Sequence, residues 1–119
     1  ELRILVLLAK ARASTAFVPE VLGICHERQA TTVVQELATH STLKAVLQQP
    51  GADARLPPLH RTHGAAQLAR GMHFLETMRV AHADLSCRNV LVFRLEEKPA
   101  DLLLKITDFG LSVLLPVRG

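Results

Sequence analysis

The order in which the hydrophobic pattern changes along the chain predicts an α+β fold. Three observations carry this reading. Leu2, Leu5, Leu8 and Ala9 share one face of a segment rich in strong helix formers, and Ala65, Leu68, Ala69, Met72, Leu75 and Met78 recur at helical spacing in a second segment. Val18–Cys25 and Thr31–Leu37 are short apolar or β-branched runs joined by a polar turn, which suits an antiparallel pair. Val90–Leu95 and Leu102–Thr107 are two further apolar runs around a charged, proline-bearing turn.

In chain order, residues 1–11 predict a core helix. Val18-Pro19 leads into a short buried strand, and Thr31–Leu37 into its partner. Ser41 or Thr42 can cap a helix carrying Leu43, Ala45, Val46 and Leu47, which Pro50-Gly51 stops. Residues 51–63, with Pro57-Pro58, show no periodicity and read as a surface loop. Thr62–Val80 is expected to be the longest helix. Gly71 lies inside it at a cost of about 1 kcal/mol relative to Ala, so close packing is expected there.

Composition excludes several function classes. At 49% hydrophobic and 21% charged, the 119 residues form one small globular unit. The net charge of +3 is spread along the chain, and with four Phe, no Tyr and no Trp there is little to stack on bases, so nucleic acid is not an expected partner. Cys25 and Cys87 form neither a metal spacing nor a framework of bridges, which points to a reduced, intracellular setting. The apolar run Ile4–Ala9 is too short to cross a bilayer. No signal peptide is visible and the chain opens without Met, so it reads as part of something longer.

Chemistry concentrates in two places. His82-Ala-Asp-Leu-Ser-Cys-Arg-Asn89 is a polar turn between apolar segments, with an acid and an amide suited to handling a phosphate and its metal. Ile106-Thr-Asp-Phe-Gly110 places a second acid at the end of an apolar run, before a flexible glycine. An isolated Asp-x-x-x-x-Asn is more often a capped turn. Here both motifs occur in order, behind Ala66-Gln-Leu-Ala-Arg-Gly-Met-His-Phe-Leu75. Together they resemble the catalytic loop, the Asp-Phe-Gly motif and the preceding helix of protein kinases, and of tyrosine kinases in particular.

The resemblance covers the chain from about the end of the family's C helix to just past Asp-Phe-Gly. It implies part of a two-lobed kinase fold, with residues 1–38 closing the N-lobe and hinge and residues 39–119 opening the C-lobe. It makes Asp84 the catalytic carboxylate, Asn89 and Asp108 the ligands of Mg²⁺, Gln35 the gatekeeper, and Leu91 the floor of the adenine pocket of ATP. The Glu36 carbonyl and the Ala38 amide would meet the adenine edge. Arg88 stands where tyrosine kinases carry arginine, and Ser86 where Ser/Thr kinases carry lysine, so the implied substrate is protein tyrosine. Glu1 would be the ion-pairing glutamate of the C helix, although the loop at residues 12–17 is longer than the family's. His82 and Phe109 would sit in the apolar column linking the lobes, completed by Val21 and Leu5.

Ala83 departs from the family, where arginine precedes the catalytic aspartate and pairs with an activation-loop phosphate. No Gly-rich phosphate loop and no phosphate-binding strand lysine occur in these residues, so transfer is expected of the complete domain and not of this piece. A pseudokinase that binds nucleotide or partners is the alternative. His60 and His63 could suggest a metal, but without a third ligand they read as a solvated loop. Cys87 reads as an inert thiol.

Overall fold

The computed structural model describes residues 2–11 and 13–117. Glu1 lies outside them, and with it the expected C-helix glutamate. The first helix, α1 (Leu2–Ala9), buries Leu5 and Leu8 of the predicted face together with Ile4, while Leu2 is half-buried and Ala9 is exposed. A 3-10 turn at Ser14–Ala16 then leads to β1 (Val21–His26), which pairs antiparallel with β2 (Thr31–Gln35), Ile24 opposite Val33 and Cys25 opposite Thr32. Strand β1 is not the buried strand expected. Leu22 is 62% exposed, because β1 and β2 form a two-stranded sheet covered on one side only among the described residues.

Thr42 caps α2 (Leu43–Gln48), its hydroxyl accepting from the Ala45 N–H at 3.1 Å. Residues 51–63 are not the loop expected. Gly51, at φ 79°, starts a short helix, α3 (Ala52–Arg55), and α4 (Pro58–Thr77) begins before Thr62. Pro58 sits at the first helical turn, where its missing N–H costs nothing. The periodicity failed there for a physical reason. Leu59 faces outward while His60 is buried, its Nε2 2.8 Å from the Glu96 carbonyl, so apolar and polar positions are exchanged. His60 therefore does not lie in a solvated loop.

Helix α4 packs on the hairpin of β4 (Val90–Arg94) and β5 (Leu103–Ile106), in which Val90 faces Ile106 and Val92 faces Leu104. The packing is close, as expected at Gly71. A Cβ there would lie 3.0 Å from Ile106 Cδ1. Gln67 of α4 reaches the β5 backbone, donating to the Leu102 carbonyl at 2.5 Å and accepting from the Leu104 N–H at 2.9 Å. Two cores result. One joins Ile4, Leu5 and Leu8 to Phe74, Leu75, Ile106 and Phe109. The other gathers Val46, Leu56, Val90, Val92, Leu102 and Leu104, and Leu68 packs against both. A third pairing, β3 (Val80–Ala81) with β6 (Val113–Leu114), was not anticipated from the sequence.

Candidate active site

The two polar motifs meet through a histidine. His82 is buried, with its ring edge-on to Phe109 at 5.2 Å between centroids. Its Nδ1 accepts from the Asp84 N–H at 3.1 Å, so that nitrogen carries no proton, and Nε2 donates to the Thr107 carbonyl at 2.8 Å. One ring thus bonds the loop containing Asp84 to the residue before Asp108.

Asn89 makes the second tie. It is buried at the end of a 3-10 turn, and its Nδ2 donates to the Asp84 carbonyl at 2.8 Å and to Asp84 Oδ2 at 3.1 Å. The Asn89 carbonyl accepts from the Thr107 N–H at 2.9 Å. The amide nitrogen is therefore spent on Asp84, and the amide oxygen has no hydrogen-bond partner among the described residues. Asp108 is exposed, with φ 60°, and its Oδ1 accepts from the Gly110 N–H at 3.2 Å. Ala83 also takes a left-handed conformation, at φ 70°. Two non-glycine residues in this region beside a polar cluster mark a site whose surroundings over-determine the backbone. Arg88 is exposed and forms no ion pair among the described residues.

The expected nucleotide contacts lie on β2 and the segment that follows it. Gln35 lines a cavity of about 470 Å³ together with Leu5, Val33, Asp108 and Phe109. The Glu36 N–H donates to the Glu20 carbonyl at 3.0 Å, whereas the Glu36 carbonyl and the Ala38 N–H have no backbone partner among the described residues. Leu91 is half-buried on β4, opposite Lys105 and bridged to Thr42. Of the expected column, Leu5 and Phe109 share one core. Val21 stands outside that core, and the partly buried Val33 packs against it.

Sequence reasoning missed Lys105. It is buried on β5, its ammonium 4.7 Å from the Phe93 ring centre and ion-paired with Glu36. Glu36 also accepts from the Glu20 N–H at 2.9 Å. Burial pushes the Glu36 carboxyl up, but the Lys105 ammonium and the Glu20 amide outweigh it and hold the group below the ordinary carboxylate value. A lone lysine inside an apolar strand run was the available signal.

The profile of the protein tyrosine and serine/threonine kinase family matches residues 6–117. The chain belongs to that family. It is similar to the tyrosine-protein kinase Srms of Homo sapiens, 42% identical over 94 residues that make up 78% of this chain and 18% of that protein. It is similar also to the Ack-related non-receptor tyrosine kinase of Caenorhabditis elegans, 38% identical over 95 residues, 80% of this chain and 8% of that protein. The receptor tyrosine-protein kinase erbB-2 of Mus musculus is 36% identical over 107 residues, 90% of this chain and 8% of the receptor. The chain thus spans less than a fifth of the length of these relatives. No helix among the described residues is long and apolar enough to cross a membrane.

Proposed function

We propose that the protein containing this chain transfers the γ-phosphate of ATP to tyrosine in a protein substrate. The observation that carries the reading is the shared bonding of the two motifs. Asn89 holds Asp84 through Nδ2 and Thr107 through its carbonyl, and His82 repeats the tie. Phosphoryl transfer asks a protein chiefly for positioning and charge stabilisation, and loops bonded to each other that carry Asp84 and Asp108 would supply it. Asp84 Oδ1 is left to accept or orient the proton of the attacking hydroxyl.

The donors present fit Mg²⁺. The free oxygen of Asn89 and the exposed carboxylate of Asp108 are hard ligands, and among the described residues no group of three or more His, Cys, Asp or Glu could hold a metal alone. Mg²⁺ is commonly bound by one or two side chains with phosphates and water completing its shell, and when bound it offsets phosphate charge. Gln35, Glu36, Ala38 and Leu91 would bind the adenine side, residues 1–38 serving as N-lobe and hinge and residues 39–119 as the start of the C-lobe. Arg88, exposed and standing where tyrosine kinases carry arginine, supports tyrosine as acceptor. The free thiols of Cys25 and Cys87 favour a reduced, cytoplasmic setting.

The second reading is a pseudokinase that binds nucleotide or partners without transfer; Ala83 bears on phosphate-switched activation and leaves Asp84 in place. The test is transfer from labelled ATP to tyrosine and serine peptides by the full-length protein and its Asp84→Asn variant. Tyrosine labelling lost in the variant is expected. Nucleotide binding with no transfer, or labelling indifferent to Asp84→Asn, would overturn the enzyme reading. The 119 residues alone, without a Gly-rich loop, are expected to be inactive.

A further inference from the structure

Arg79 combines three features that no role given above uses. It adopts φ 59°, a conformation disfavoured for a long L side chain. The N–H of Arg79 closes α4 on the Glu76 carbonyl at 2.9 Å, and its carbonyl accepts from the Leu115 N–H at 2.7 Å. Its guanidinium Nη2 donates to the Pro116 carbonyl at 2.5 Å. The side chain is half-buried, with Nε buried and without a hydrogen-bond partner among the described residues.

The left-handed turn makes these contacts compatible. It ends the helix and turns the chain into β3, whose Val80 and Ala81 pair with Leu114 and Val113. The Ser112 hydroxyl extends the seam by donating to the His82 carbonyl at 2.8 Å, and the Ser112 N–H bonds the Phe109 carbonyl at 3.1 Å. The segment leaving Asp108 is thereby held near its start by His82 and at Leu115 and Pro116 by Arg79.

We propose that Arg79 is a positioning residue for the Asp108–Gly110 corner, anchoring Leu115 and Pro116 so that the segment leaving the corner is held in place. The catalytic consequence rests on the kinase reading; the anchoring itself does not. Ala83, a methyl group in the place of the family's phosphate-pairing arginine, is consistent with a segment held by other means.

The experiment compares full-length wild type with Arg79→Asn and Arg79→Lys after phosphatase treatment. Asparagine tolerates the left-handed backbone and removes the guanidinium; lysine retains a cationic donor. Amide exchange over residues 112–115 should quicken roughly tenfold in Arg79→Asn, the scale expected for a lost charge-assisted hydrogen bond, with little change elsewhere. Turnover should fall by a similar factor at unchanged KM for nucleotide, and Arg79→Lys should recover most of both. Unchanged exchange at 112–115, faster exchange throughout the domain, or turnover that ignores local loosening each overturns the proposal. Should wild type transfer no phosphate, the kinase reading fails, and the exchange comparison alone then decides the anchoring.

Discussion

Replacing Lys105 by Met tests how strongly the hinge segment depends on a buried charge pair. Lys105 and Glu36 are 7% and 27% exposed in their side chains and join β5 to the segment after β2. Breaking a fully buried pair costs about 3–5 kcal/mol, because the surviving charge is left uncompensated. Glu36 retains partial contact with water and the Glu20 N–H, which lowers the expectation to about 1–3 kcal/mol for Lys105→Met. Glu36→Gln should cost as much or more, since it strands the more buried ammonium over Phe93. The double variant should cost less than the two single costs added, with a coupling of about 1–2 kcal/mol. The assay is denaturant unfolding of the full-length protein, following the kinase-domain transition. The sign of the pH dependence is fixed by the lowered Glu36 value. Its contribution is fully present above the carboxyl's unfolded value and is lost as pH falls through the lower folded value, so the coupling should vanish in acid. Single costs that add to within about 0.3 kcal/mol at neutral pH, or a coupling that survives at low pH, would refute the reasoning.

Asn89→Asp replaces the donor facing Asp84 Oδ2 with a second carboxylate; turnover should fall at least tenfold, and stability should decline as pH rises through the carboxylate range, read by melting at several pH values. Gly71→Val should destabilise by about 1–3 kcal/mol, because even a Cβ would lie 3.0 Å from Ile106 Cδ1; thermal unfolding measures it, and a neutral result would show that Ile106 can move aside. Asp84→Ala should leave nucleotide affinity nearly unchanged while cutting turnover, whereas Asp108→Ala should weaken Mg²⁺-dependent nucleotide binding as well; calorimetric titration beside a turnover assay separates them.

The parts of the fold legible in the sequence are those where burial and pattern agree. Leu5 and Leu8 on α1, and Val90 and Val92 facing Ile106 and Leu104 across the β4–β5 hairpin, sit where their spacing placed them. The start of α4 was illegible because Leu59 points out and His60 points in, satisfied by a carbonyl from a distant turn. Short pairings such as β3 with β6 involve two residues on each side, too few for any period to register. At the site, the residue types and order of Asp84, Asn89 and Asp108 announced a polar cluster. The ties among them could not be read, since they run through the His82 ring and the Thr107 backbone. Lys105 was hidden by its apolar neighbours, and its partner Glu36 lies far away along the chain.

Gln67 carries a consequence for how the molecule behaves among its own copies. Among the described residues strand β5 pairs with β4 on one side only, so its other side is an edge whose carbonyl and amide groups would suit a foreign strand, save the Ile106 N–H, which donates to the Phe17 carbonyl at 2.8 Å. The Gln67 amide occupies two of these groups, at Leu102 and Leu104, acting as a one-residue strand mimic supplied by a helix. An intruding chain must first displace a helix packed through Gly64 and Gly71 against the same strand. A polar residue on an inward face of α4 thus guards the apolar run Leu102–Ile106, the kind of segment that seeds intermolecular sheets when uncovered.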